Sequence, residues 1–186
     1  MQAAVKTLRL VTEPPSEVEQ LFRTHHDRVF RTAHRITGSP ADAEDVLQTV
    51  FLRLVRNEDS FDLSENPAAY LSRAAINASL DLLRSRGRAR PADLDEIEMA
   101  ALPSHTQDPE AVHADRELQK LIRTAVAGLG KTAGEMFVLR YYEGYDNQEI
   151  AQMLSTSPMV VGVVLHRART RLRKEIGHYL EKHHEQ

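Results

Sequence analysis

The most concentrated chemistry in this sequence lies in its arginines. Arg84, Arg86, Arg88 and Arg90 recur at every second position, and Arg167, Arg169, Arg171, Arg173 and Lys174 form a second cluster with no acid between them. Cations massed in this way neutralise phosphates, and such a patch is the electrostatic footprint of nucleic-acid binding. The plain alternative at the first cluster is a solvated basic helix end. Opposite charge lies between the two. From Pro91 to Glu117, eight acids (Asp93, Asp95, Glu96, Glu98, Asp108, Glu110, Asp115 and Glu117) stand against one base, Arg116. That stretch carries -7 of a total of -3, so the remainder of the chain is +4. Overall charge gives no general attraction to nucleic acid, and the argument rests on where the charges sit.

The second basic cluster continues a recognisable pair of helices. "DNQEIAQMLSTSPMVVGVVLHRAR" places Ile150, Ala151 and Leu154 inward on a short helix, turns at Ser155-Thr156-Ser157, and starts a longer helix at Pro158. This is the layout of a helix-turn-helix, whose second helix enters a DNA major groove. Stepping about 100° per residue from Val161 groups it with Leu165, Ala168, Leu172 and Ile176 as the core stripe. The opposite face then holds Met159, Gly162, Val163, His166, Thr170 and Arg173, with Arg167 and Lys174 at its edge. Its N-terminal turns offer Met, Gly and Val, which can touch a thymine methyl but make no bidentate hydrogen bond to a purine. Its later turns offer cations for phosphates. Two readings of the apolar half stay open: a thymine-methyl reader, or a protein contact made by Val160, Val163 and Val164.

The elements that must position these residues are all helical, because apolar residues recur at three- and four-residue spacing with no sustained alternation. Ser39-Pro40, Asn66-Pro67, Asp108-Pro109 and Ser157-Pro158 each pair an N-cap oxygen with a proline at the first helical position. Ser16 with Glu19, Thr132 with Glu135 and Asp146 with Glu149 add three expected capping boxes. Helices are predicted over 16–37, 40–56, 67–86, 109–128, 133–143, 147–154 and 158–180, with Gly38 and Gly87 as C-terminal stops. Val18, Leu21, Phe22, His25, Val29, Ala33 and Ile36 form one apolar stripe. Val46, Leu47, Val50, Phe51 and Leu54 form another. The expected fold is all-α: two small helical domains joined by an acidic linker, the second containing the helix-turn-helix. The division is an arm over 1–15, a first domain over 16–88, a linker over 89–108 and a second domain over 109–186.

Composition bounds the function classes. The 186 residues contain no Cys, which removes disulfides and thiolate metal sites, and no run approaches the length needed to span a bilayer. A cytoplasmic protein without membrane insertion is expected. An enzyme reading has one foothold, since His25-His26-Asp27 resembles the core of helical metal-dependent phosphohydrolases. Consecutive residues on a helix diverge, however, and His25 falls on the apolar stripe. Neither a phosphate-cradling glycine loop nor a nucleophile motif occurs. No catalytic residue, metal or cofactor is expected.

Residues 16–86 and 109–180 together resemble the extracytoplasmic-function (ECF) branch of bacterial sigma factors. "DAEDVLQTVFLRLV" is similar to the branch's polymerase-clamp-binding helix, and "NPAAYLSRAAINASLDLLRSRGR" to its promoter-melting, minus-10-reading segment. "VLRYYEGYDNQEIAQMLSTSPMVVGVVLHRARTRLR" is similar to region 4, which binds the minus-35 element and the polymerase flap. The resemblance implies polymerase contacts at Asp42, Glu44, Asp45, Gln48, Phe51 and Leu52. It implies minus-10 contacts at Phe61, Asp62, Tyr70, Arg73, Asn77, Arg84, Arg86 and Arg88, with Tyr70 where the family usually has Trp. It implies minus-35 contacts at Ser157, Met159, Gly162, Val163, His166, Arg167, Arg169, Thr170, Arg173 and Lys174. Core RNA polymerase and promoter DNA are the implied partners, with an anti-sigma factor added by family habit.

Three departures stand out. Thr49 replaces the usual acid after Gln48, Ser155 stands where the turn usually has Gly, and the recognition helix has Gly162 and Val164 in place of the usual Lys and Arg. The resulting reading is an ECF-type sigma factor that directs promoter recognition and transcription initiation with an atypical apolar minus-35 helix. The rival is a free-standing helix-turn-helix regulator that does not bind core polymerase; it leaves residues 40–86 without a role.

Overall fold

The computed structural model describes residues 16–56, 66–89 and 109–184. Every regular element among these residues is an α-helix: α1 (Glu17–Thr37), α2 (Pro40–Arg56), α3 (Pro67–Ala89), α4 (Pro109–Gly128), α5 (Lys131–Tyr141), α6 (Asn147–Met153) and α7 (Pro158–His184). Local chemistry sets most of the starts. Ser16 caps α1 by accepting from the Glu19 N–H, and Ser39, Asn66 and Ser157 accept from the N–H groups of Asp42, Ala69 and Val160. Asp146 and Glu149 form a complete capping box at α6. Gly38 closes α1 in the left-handed conformation at φ 75°, returning its N–H to the His34 carbonyl.

Two expectations are corrected. The Thr132–Glu135 capping box does not form, because α5 starts at Lys131 after Gly130 and no side chain caps it. Glu135 is instead buried and turned toward α3. Gly87 does not stop α3, which runs on to Ala89. An interior glycine weakens a helix by about 1 kcal/mol but does not end it unless the chain turns left-handed there.

Helices α1 to α3 enclose one core, made of Val18, Val29, Ala33, Ala43, Val46, Val50, Phe51, Leu54, Leu71, Ala75 and Ala78. The stripes expected on α1 and α2 supply most of it, although Phe22 is 41% exposed. A second core gathers buried residues of α4 to α7, among them Val126, Leu139, Ile150, Val161, Leu165 and Leu172. It does not stop at the boundary expected between the domains. Ile36 of α1 and Ile76 and Leu80 of α3 belong to this second core, so the two helical units are packed against each other. Gly134 permits the approach: a Cβ there would lie 3.1 Å from Leu80 Cδ1 and 3.3 Å from the Val126 carbonyl oxygen.

Candidate nucleic-acid interface

Tyr70, Arg73 and Asn77 recur at three- and four-residue spacing and therefore share one face of α3. With Val50 and Arg53 of α2 and Ala74 they line an open cavity of about 250 Å³. Burial raises the Tyr70 phenol pKa above its ordinary value, and the nearby Arg53 charge partly offsets that rise. Asn77 donates from Nδ2 to the Arg73 carbonyl at 3.0 Å, while its buried Oδ1 has no hydrogen-bond partner among the described residues. A buried acceptor without a donor costs roughly 1–3 kcal/mol, so this one is suited to an incoming donor.

The cations expected on the same helix diverge in their surroundings. Arg73 donates from Nε to Glu135 Oε1 at 2.8 Å and from Nη1 to the Met153 carbonyl at 2.7 Å. Arg84 pairs with Asp81 at 2.6 Å and reaches the Ala127 carbonyl at 3.4 Å. Arg86 forms a bidentate ion pair with Asp42, whose side chain is only 4% exposed. Arg88 is exposed. Phe61 and Asp62, expected in a base-receiving loop, lie outside the described residues.

The expected polymerase-contacting residues split in the same way. Glu44, Asp45, Gln48 and Leu52 face outward on α2, whereas Asp42 faces Arg86 and Phe51 is packed edge-on against Phe22 with ring centroids 4.9 Å apart. In this conformation Asp42 and Phe51 act on the helix from within. Two further apolar side chains are exposed: Phe22, which the sequence placed on the apolar stripe of α1, and Val55, which sequence reasoning did not single out. Val55 follows Leu52 by three residues, and that spacing was the available signal.

The helix-turn-helix is formed by α6, a turn over 154–157 and α7. Ser155 has a φ of 51°, and Thr156 and Ser155 donate to the Ala151 and Gln152 carbonyls at 2.9 and 3.3 Å. This is a Schellman closure with Ser in the position that favours Gly. Val161, Leu165, Ala168 and Leu172 are buried, as the stripe requires. Met159 is 79% exposed and Val163 45%, and His166, Arg167, Arg169, Thr170, Arg173 and Lys174 are exposed beyond them. Gly162 is half-buried beside Asn147, and Val164 packs against the second core. Ser157 uses its hydroxyl as the cap of α7.

The model of Sigma-70 region 2 matches residues 21–89, and that of Sigma-70, region 4 matches residues 119–172. The RNA polymerase sigma-E factor of Streptomyces coelicolor is 33% identical over 161 residues, covering 86% of each chain. The chain belongs to the ECF branch of the sigma-70 family. The ECF RNA polymerase sigma factor SigE of Mycolicibacterium smegmatis is 32% identical over 89% of this chain, which spans 62% of that relative's length. SigW of Bacillus subtilis is 27% identical, with 82% of this chain and 84% of the relative covered. A solved structure of the sigma factor RpoE in complex with the anti-sigma factor NepR, from Bartonella quintana, covers 85% of this chain and 95% of that one at 18% identity, with a TM-score of 0.49. Promoter recognition and transcription initiation are the work of the family, and this sigma factor carries both regions that perform it. The cavity on α3 lies in region 2, and the exposed face of α7 in region 4. Among the described residues no His, Asp or Glu cluster could hold a metal, and no helix is long and apolar enough to cross a membrane.

Proposed function

We propose that three faces of this sigma factor divide the initiation steps. The outward acids of α2 (Glu44 and Asp45), with Gln48 and the apolar Leu52, bind the clamp of core RNA polymerase in the cytoplasm. An acidic first turn followed by exposed apolar side chains suits a basic, partly apolar partner. Asp42 supports this face by fixing the start of α2 through Arg86 rather than by touching the partner. Phe51 does so through packing.

On α3 the cavity holds an unstacked base of the minus-10 strand. The observation that carries this reading is the convergence of Tyr70, Arg73 and Asn77 on one cavity of about 250 Å³, beside a buried Asn77 Oδ1 that has no hydrogen-bond partner among the described residues. A phenol ring stacks on a base, and the amide oxygen accepts from a base amino group. Phe61 and Asp62 belong to the same step by family resemblance, and Arg88 supplies phosphate contact.

On α7 the exposed cations hold the upstream duplex. Met159, Gly162 and Val163 occupy the groove-facing turns without a side chain able to make the strong purine contacts. The division 16–88 and 109–186 describes these working units, although the closed chain packs them together. The protein catalyses no reaction of its own, and an anti-sigma factor is a further partner implied by the family. Reconstituted transcription with core polymerase on a library of genomic fragments tests the whole reading. Promoter-specific initiation is expected. Duplex binding without any affinity for core polymerase would select the free-standing regulator.

A further inference from the structure

The cavity on α3 has a second wall, and it belongs to α2, the helix whose outward residues were proposed above to bind the polymerase clamp. Val50 and Arg53 lie three residues apart and so share one side of α2, which meets Tyr70, Ala74 and Asn77 across the cavity. Val50 is buried, whereas Arg53 is exposed, and this sets the Arg53 side chain at the mouth. Its charge is felt inside: it partly offsets the burial that raises the Tyr70 phenol pKa. The cavity therefore combines an aromatic and amide wall on α3 with a cation at its rim on α2.

A nucleotide of a single strand is divided in the same way. Its base is a flat ring that stacks on an aromatic side chain, and its phosphate is an anion that exchanges its counterion for a protein cation. A base entering beside Tyr70 and Asn77 leaves its phosphate at the mouth, where Arg53 stands. A plainer role for Arg53 is local: with Arg56 it supplies the basic last turn of α2, where a cation favours the helix dipole. Arg56 meets that need equally well, but only Arg53 of the two lines the cavity.

We propose that Arg53 holds the phosphate of the nucleotide whose base enters the cavity, so that α2 serves the polymerase clamp on one face and the minus-10 strand on another; this rests on the assignment of Tyr70 and Asn77 as the single-strand face. Leu52 and Arg53 are adjacent in sequence but about 100° apart around the helix axis, so the two functions part at neighbouring residues. A phosphate contact fixes the position of a strand without reading its sequence. Arg53 therefore adds affinity for any strand, and the choice of base is left to the α3 wall.

The test assembles holoenzyme from core polymerase and the full chain. Over a series of salt concentrations it is titrated with a labelled pool of random single-stranded DNA of about 12 nucleotides, a length within the range that single-strand sites cover. Only the binding lost on Tyr70→Ala is counted. Arg53→Gln is expected to weaken that binding about two- to fivefold, as for an exposed ion pair, and to flatten the slope of log affinity against log salt by roughly 0.7, the increment for one phosphate of a single strand. Arg53→Lys is expected to keep the slope, because a phosphate accepts a point charge. Both variants should keep the parent's affinity for core polymerase and its urea midpoint. Arg56→Gln, which removes the same charge from the same helix turn, should leave the counted binding unchanged. An unaltered slope in Arg53→Gln, or an equal loss in Arg56→Gln, overturns the proposal while sparing the single-strand face. Equal loss in Arg53→Lys and Arg53→Gln overturns it in favour of the guanidinium plane stacking on a base. Weakened polymerase affinity in Arg53→Gln overturns it by placing Arg53 on the clamp face. No Tyr70-dependent binding in any form removes the single-strand face and the proposal with it.

Discussion

The carboxylate of Asp42 receives both Nη groups of Arg86, tying the first turn of α2 to the last turns of α3. The carboxylate is nearly buried while the guanidinium is 57% exposed. Solvent therefore screens the Arg end, and the pair contributes less than a fully buried one. Arg86→Ala should lower stability by about 1–2 kcal/mol, below the roughly 3–5 kcal/mol of a fully buried pair, because the uncovered carboxylate regains some water. Urea unfolding followed by circular dichroism measures it. If Arg86 served only to hold DNA phosphates, the midpoint would not move.

Ser155 sits left-handed at the end of α6, where a Cβ crowds the backbone by roughly 1–2 kcal/mol. Ser155→Gly removes that crowding but frees the unfolded chain, which returns roughly 0.5–1 kcal/mol. The net expectation is a gain of about 0.5–1 kcal/mol, read as a higher urea midpoint with an unchanged slope. Lower stability would mean that the Ser side chain makes a compensating contact.

These residues also mark what the sequence discloses. The Asp146–Glu149 box, the Ser16, Ser39, Asn66 and Ser157 caps and the α7 core stripe were legible because donor and acceptor, or successive buried residues, lie within a few positions of one another. The Thr132–Glu135 box carries the same local signal, yet Glu135 pairs with Arg73, 62 residues away. No local pattern encodes that competition. Arg86 with Asp42 has the same character across 44 residues, so two side chains that resemblance assigned to different partners meet each other. The cavity residues were named from sequence one by one. Val50 and Arg53, which complete its wall from α2, become visible only when α2 and α3 pack.

Leu52 is 51% exposed beside Val55 at 57%, an apolar surface with no neighbour to cover it among the described residues. Leu52→Glu should leave folding within about 0.5 kcal/mol, as surface changes usually do, yet weaken core polymerase binding by roughly 1–2 kcal/mol, about tenfold. Titration of labelled protein with core polymerase checks the second figure, and urea unfolding the first. Unchanged affinity would move the contact off this face.

Asn77→Ala removes an acceptor that has no hydrogen-bond partner among the described residues, so on the proposed reading its loss is felt where a base supplies the donor. Open-complex formation, followed by permanganate reactivity of unpaired thymines, should fall by roughly 1–3 kcal/mol, or about 5- to 150-fold. Polymerase affinity should stay near the parent value. Equal loss of both would remove Asn77 from the strand-reading face.

The face of α7 combines apolar leading turns with cations further along, and these two halves respond differently to salt and to sequence. Each cation that neutralises a phosphate adds roughly 0.9 to the slope of log affinity against log salt, whichever base is present. Replacing Arg167, Arg169 and Lys174 together by Gln should therefore flatten that slope by roughly 2–3 in anisotropy titrations of an upstream duplex. Met159 and Val163 supply no bidentate hydrogen bond, so base changes in the minus-35 element should cost less than the roughly 1–3 kcal/mol of a bidentate purine contact. Replacing thymine by deoxyuridine in the same duplex isolates the methyl groups. A preference that survives Val163→Ala belongs to the basic half. A sharp preference lost both with deoxyuridine and with Val163→Ala would assign the reading to the apolar turns and refute the expectation of weak discrimination.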